Sequence, residues 1–153
     1  MESFQNLDGK LVRKTEMVVG FLFQPDSSVY LIRKNRPDWQ MGKLNGIGGH
    51  VESNEFNYQA MHRECLEESN VIISRDSWKY ICCMEGNDWL LHVFATILSN
   101  DDKPISVTDE KIELHTMESI INEKTIPNLK FLVPMAWEHL TNKYTYSTAK
   151  FIY

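Results

Sequence analysis

Three glutamates, Glu64, Glu67 and Glu68, are spaced by three and four residues within a run, 54–69, that contains neither glycine nor proline. On a helix, at about 100° per residue, they share an arc of roughly 100°, while Tyr58, Met61 and Cys65 fall on the opposite side. Like charges at these spacings repel by about 0.2–0.5 kcal/mol per exposed pair, so the clustering is locally unfavourable. A cation offsets it, and hard divalent ions, Mg²⁺ above all, are held by one or two carboxylates plus water and phosphate. The same residues also fit a solvated acidic face with no function. Just upstream, 35–49 carries Pro37, Gly42, Gly46, Gly48 and Gly49, which marks backbone that bends or lies against a ligand. Lys34, Arg36 and Lys43 give this loop a modest basic character, suited to polyphosphate or simply to solvent. Gly46-Ile47-Gly48-Gly49 lacks the Lys-Ser/Thr of a P-loop. His50, His62, His92, His115 and His139 have no tight ligand spacing, and only His50, beside the glycines, is a candidate for reaching phosphate.

These residues need a scaffold. Asn54 is a candidate N-cap, with Glu55 in the first turn of the helix. Residues 17–23 and 29–33 favour strands across the turn Gln24-Pro25-Asp26-Ser27-Ser28, which predicts a hairpin. Further strands are expected over 78–84 and 90–98, joined across Gly86-Asn87-Asp88, with a short one over 111–115. A second helix is expected over 135–142, with Pro134 in or near its first turn. Strands before, between and after helices indicate mixed α/β or α+β architecture, a sheet covered by helices.

The 153 residues suit one domain spanning 1–153, and no repeat or linker divides them. Sixteen basic against twenty-one acidic residues, net −5, argue against long nucleic acid or anionic membrane as a partner and leave small ligands open. Three cysteines, two of them adjacent, form neither a disulfide framework nor spaced zinc pairs. The polar run 1–16 has no leader pattern, and no apolar run is long enough to span a bilayer; a cytoplasmic protein, monomer or homodimer, is expected.

Taken together, the spacing Gly49-x5-Glu55-x7-Arg63-Glu64-Cys65-x-Glu67-Glu68-x-Asn70-Val71 resembles the Nudix box at every position but one. Six such identities at fixed spacing arise by chance on the order of once in 10⁵ sequences of this length. The departure is Asn70, where the family has glycine; asparagine is the commonest other residue able to take the left-handed conformation needed there. Gly42-Lys43-Leu44-Asn45-Gly46-Ile47-Gly48-Gly49 extends the resemblance upstream, and within the family it is nearest to MutT-type nucleoside triphosphate pyrophosphohydrolases.

The resemblance implies an α/β/α sandwich around a mixed sheet, and hydrolysis of a nucleoside diphosphate linked to X with Mg²⁺ or Mn²⁺. It implies that Glu64, Glu67 and Glu68 hold the metal with the Gly48 carbonyl, while Arg63 and Glu55 pair to orient them. Glu64 is the first candidate for the base, Glu67 the next. Glu110, just before the strand at 111–115, is expected as a further metal ligand, with Asp109 as competitor and a solvated loop acid as the alternative. No proline lies between Val71 and Pro104, where ADP-ribose hydrolases tend to carry one, and the tyrosine of dinucleoside polyphosphate hydrolases and the NADH-type signature are missing. A nucleoside triphosphate, an ordinary or oxidised purine, is therefore expected. Asn45 and Asn128 match places where MutT-type enzymes contact oxidised guanine, though both also suit turn support; Lys43 and His50 are the other candidate substrate contacts. Ile126 stands where some relatives stack an aromatic, leaving Trp39 and Trp89 as alternatives. ADP-ribose, dinucleotide or nucleotide-sugar hydrolysis and a non-catalytic nucleotide sensor remain as alternatives. A sensor of this kind typically loses box carboxylates, and here all are present.

Overall fold

The computed structural model describes residues 14–142, together with the strand backbones β1 (Phe4–Gln5), β2 (Leu11–Val12) and β9 (Ala149–Ile152). Most of the polar run 1–16 lies outside the described residues. The central strand is β3 (Thr15–Phe23), whose apolar run is buried on both faces. Such a strand needs cover on two sides. β4 (Val29–Arg33) follows across a turn in which Ser27 is left-handed and Asp26 Oδ1 accepts the Ser28 N–H at 2.9 Å. β6 (Lys79–Glu85) and β7 (Trp89–Ile97) form the second hairpin, and β7 runs parallel to β3 from Thr15↔Trp89 to Phe23↔Ile97. With β5 (Leu44–Asn45), the sheet order is β5-β4-β3-β7-β6-β9, and β8 (Lys111–His115) pairs with β4.

One apolar layer packs beneath α1 (Asn57–Ser69) and holds Val18, Leu22, Ile47, Met61, Cys65, Val71, Trp78 and Phe94. The other holds Phe21, Phe23, Leu31, Leu44 and Val93 against α3 (Leu129–Thr141) and Ile120 of α2 (Met117–Asn122). Helices on both faces of a mixed sheet make the expected α/β/α sandwich. No helix among the described residues is long and apolar enough to cross a membrane.

Two helix starts differ from expectation. Asn54 is not the N-cap: it is left-handed, φ 70°, in the turn before α1, and Phe56 takes the cap position, its N–H donating to Gln59 Oε1 at 2.8 Å. The turn closes through Glu52 N–H to Glu55 Oε1, 2.8 Å, so Glu55 lies outside the helix. Pro134 is likewise not in a first turn, because α3 begins at Leu129 and the proline sits within it on the exposed side. Burial of Leu129, Leu132, Val133 and Ala136 outweighs the one backbone hydrogen bond that proline cannot make. α2 escaped the sequence reading, although its Thr116 cap, which accepts the Ser119 N–H at 3.1 Å, is a recognisable start signal.

β3 and β4 share only the rungs Leu22↔Tyr30 and Phe23↔Val29 before they diverge. The glycine-rich segment enters the gap, pairing Gly20 with Ile47 and Met17 with His50. That wedge positions the site.

Candidate active site

Along the wedge, the carbonyls of Ile47 and Gly49 accept from Gly20 and Val18 of β3 at 2.7 and 2.9 Å. Strand alternation turns Gly48's own N–H and carbonyl to the opposite edge, and the N–H donates to Glu68 Oε2 at 2.9 Å. Gly48 has φ +156°, and a Cβ there would strike the backbone of Val18 and Val19. At Gly49 a Cβ would instead strike the carboxylate of Glu64. The two glycines let the wedge lie against β3 and against the acidic face of α1 together.

Arg63 organises that face. Its Nη2 and Nε meet Glu55 Oε1 and Oε2 at 2.7 and 3.2 Å, a two-pronged pair made possible because Glu55 lies ahead of the helix. Nη1 donates to Glu64 at 2.8 Å and to Glu67 at 3.2 Å, and Nη2 also donates to the His50 carbonyl at 2.9 Å. The hydrogen bond to Arg63 holds the Glu55 carboxyl below the usual carboxylate range, and the partnership with Glu55 raises Arg63 further still. Glu68 behaves differently. Burial pushes it up to about 7, against the Gly48 N–H and the Lys34 charge, with Glu64 and Glu110 adding to the rise. It is a partly buried carboxylate in a negative setting, which a cation would relieve.

A cleft of about 490 Å³ opens beside the wedge. Its rim carries Lys34, Arg36, Gln40, Asn45 and His50, its glycine wall is Gly46, Gly48 and Gly49, and Met17, Val19 and Leu91 supply apolar lining. Asn45 accepts the Gly46 N–H at 2.7 Å and donates to Gln40 Oε1 at 3.3 Å. Of the residues proposed from sequence, Glu55, Arg63, Glu64, Glu67, Glu68 and Gly48 are gathered at one edge, and Asn45 and His50 reach the cleft.

Lys43 and Asn128 are not on the cleft lining. Lys43 donates to the Trp39 carbonyl at 2.5 Å and lies 5.8 Å from that ring's centre, and Asn128 is the left-handed residue, φ 76°, that starts α3. Glu110 is buried and points to residues 34–36, its Oε2 2.5 Å from Lys34 Nζ and its Oε1 2.7 Å from the Asn35 N–H. Trp89 and Ile126 pack against the core, whereas Trp39 is exposed in the turn between cleft residues Pro37 and Gln40. Gln40 and the Met17–Leu91 lining carried no sequence signal. The latter exists only because parallel register sets Met17 opposite Leu91.

Among the described residues, no three acidic, histidine or cysteine side chains are already gathered as a metal cage, with Arg63 holding Glu64 and Glu67. The donors nevertheless suit Mg²⁺ or Mn²⁺. They are all oxygen, one is a partly buried carboxylate in a negative setting, and the missing Cβ of Gly49 leaves room for the Glu64 carboxylate against the wedge.

The box geometry agrees with a comparison against protein families, in which the NUDIX domain model matches residues 13–133. The chain belongs to the NUDIX domain family. It is a Nudix hydrolase, of a family that acts on nucleoside diphosphate-linked substrates and generally uses divalent metal. A search of curated proteins found no match. Solved structures share the fold at low identity. One, from work on MutT of Aliivibrio salmonicida and Vibrio cholerae, is 20% identical with a TM-score of 0.70, covering 82% of this chain and 99% of that one. The NUDIX domain of Shewanella oneidensis NrtR, complexed with ADP ribose, is 14% identical with a TM-score of 0.72, covering 89% and 94%. A Nitrosomonas europaea NUDIX hydrolase is 17% identical with a TM-score of 0.69, covering 94% and 81%.

Proposed function

We propose that this Nudix hydrolase cleaves a purine nucleoside triphosphate, ordinary or oxidised, to monophosphate and pyrophosphate, using Mg²⁺ or Mn²⁺. The observation that carries this reading is the cleft itself: a basic rim and an amide pair open onto the same Gly48–Gly49 edge that abuts the carboxylates. Glu64, Glu67, Glu68 and the Gly48 carbonyl would hold the metal, which when bound neutralises phosphate charge and lowers the pKa of water. Arg63 and Glu55 keep the carboxylates oriented, and Glu64, with Glu67 next, accepts the proton of the attacking water. Lys34 and Arg36 face the polyphosphate, Asn45 and Gln40 offer donors and acceptors to a base edge, and the apolar lining excludes water. One domain over 1–153, cytoplasmic and either monomer or homodimer, meets the needs of this reading.

Fold similarity to the ADP-ribose-bound NrtR domain supports a second reading, in which ADP-ribose is substrate or signal. Nucleotide products, separated by anion-exchange chromatography, should be measured from triphosphates including 8-oxo-dGTP, and from ADP-ribose, NADH and diadenosine polyphosphates, with and without Mg²⁺, beside Glu64→Gln, with pyrophosphate release followed for the triphosphates. Metal-dependent turnover of a triphosphate, lost in the variant, is expected. Faster turnover of ADP-ribose or NADH than of every triphosphate overturns the substrate, and tight binding without turnover moves the reading to a sensor.

A further inference from the structure

β4 ends at Arg33, and the next three residues form no strand: Lys34 and Arg36 line the cleft as its basic rim, with Asn35 between them. Lys34 is tied by backbone bonds to Gly42 and Lys43, whereas the N–H groups of Asn35 and Arg36 both turn to Glu110 Oε1, at 2.7 and 3.4 Å. Glu110 Oε2 takes the Lys34 ammonium at 2.5 Å, with both side chains largely buried. Asp109 fastens the same segment from outside: its carboxylate accepts from Arg36 Nη2 at 2.7 Å and its carbonyl from Asn35 Nδ2 at 2.8 Å. Glu110 itself is not part of the cleft lining, while Lys34 and Arg36 are. An ammonium has three donors, so one bond to Glu110 fixes its position and leaves two for a ligand.

We propose that Glu110 is the positioning residue of the cationic rim, holding the Lys34 ammonium and the Asn35–Arg36 backbone in place for a polyphosphate instead of lending its oxygens to the metal. This rests on the polyphosphate reading of the cleft. A flexible lysine loses rotamer freedom when it grips a ligand, and Glu110 has already imposed that order in the free protein. Its effect therefore falls on substrate binding, through Lys34, more than on the chemical step.

The test compares Glu110→Gln, Lys34→Met and the double variant. The glutamine carbonyl still accepts the two backbone N–H groups but no longer pairs with the ammonium, so the fold is retained. Expected are a roughly tenfold higher KM for a triphosphate in each single variant with a smaller change in kcat, and a double variant no worse than either single. Mn²⁺ affinity of the nucleotide-free protein, read by electron paramagnetic resonance, should match the parent in Glu110→Gln. Weakened Mn²⁺ binding, a loss confined to kcat, an unchanged KM, or single-variant effects that multiply in the double variant would each overturn the proposal. If the parent hydrolyses no triphosphate, the substrate reading fails on its own. Calorimetric binding of a non-hydrolysable triphosphate analogue to the same variants then still reads the Glu110–Lys34 coupling: shared weakening supports it, independent effects refute it.

Discussion

Replacing each of the adjacent glycines by alanine should separate stability from catalysis. At Gly49 the new Cβ would lie 2.6 Å from Glu64 Cδ and 2.9 Å from Oε2, and its three nearest neighbours all belong to that carboxylate. A relaxed carbon–carbon contact is about 3.5–4.0 Å, so the carboxylate must retreat by ~1 Å. That movement breaks or bends the 2.8 Å bond from Arg63, one of several that Arg63 makes, at a cost of about 1 kcal/mol. Gly→Ala in a compatible backbone recovers ~0.4–1 kcal/mol through the unfolded state, and Gly49 lies outside the left-handed region. Net stability should be nearly unchanged. Misplacing a reacting group by ~1 Å, in contrast, costs on the order of 10²-fold in rate. Gly48→Ala is the counterpart, since its Cβ meets Val18 C at 2.8 Å and Val19 Cα at 2.9 Å with φ +156°. Backbone cannot swing aside, so a loss of about 3 kcal/mol or more is expected. Thermal unfolding and metal-dependent pyrophosphate release on both variants check this. Gly49→Ala with undiminished turnover, or with the stability loss of Gly48→Ala, would refute the reasoning.

Arg63→Ala should lower turnover by roughly 10–100-fold by freeing Glu64 and Glu67 to reorient, with Arg63→Lys intermediate because an ammonium cannot grip Glu55 with two prongs; steady-state kinetics decide it. Glu113, bonded by Arg33 at 2.6 and 2.9 Å, has its pKa pulled down to about 2, so it stabilises the fold above its ordinary value of 4.5, and that contribution disappears as pH falls from 4.5 through 2. After allowance for solvent screening the effect is ~1 kcal/mol, and Glu113→Gln should flatten the parent's loss of stability over that window in acid-unfolding curves. Asn70, left-handed at φ 57° after α1, should tolerate glycine within about 0.5 kcal/mol but lose about 1 kcal/mol as alanine, measured by denaturant unfolding.

The carboxylate helix, its apolar face and the role of Asn70 were legible in the sequence because they depend on neighbours three or four residues apart, where helical periodicity and chain chirality act. The hairpins were legible for the same reason: turn chemistry between two β-favouring runs is local. Helix starts were less so. Asn54 has the chemistry of a cap, yet the turn that carries Glu55 back to Arg63 placed it outside, and packing carried α3 through Pro134. What only the tertiary structure decided is which distant residues share a space. Glu110 reads in sequence as an acid near a metal site or in a solvated loop; three-dimensional pairing of β8 with β4 buries it beside Lys34, 76 positions away, and within electrostatic reach of Glu68. Lys43 and Lys34 look equivalent along one basic loop, but the fold turns one onto Trp39 and the other into the cleft. The cleft itself arises where β3 and β4 part and the glycine wedge enters, a consequence of strand register and long-range burial that no local pattern encodes.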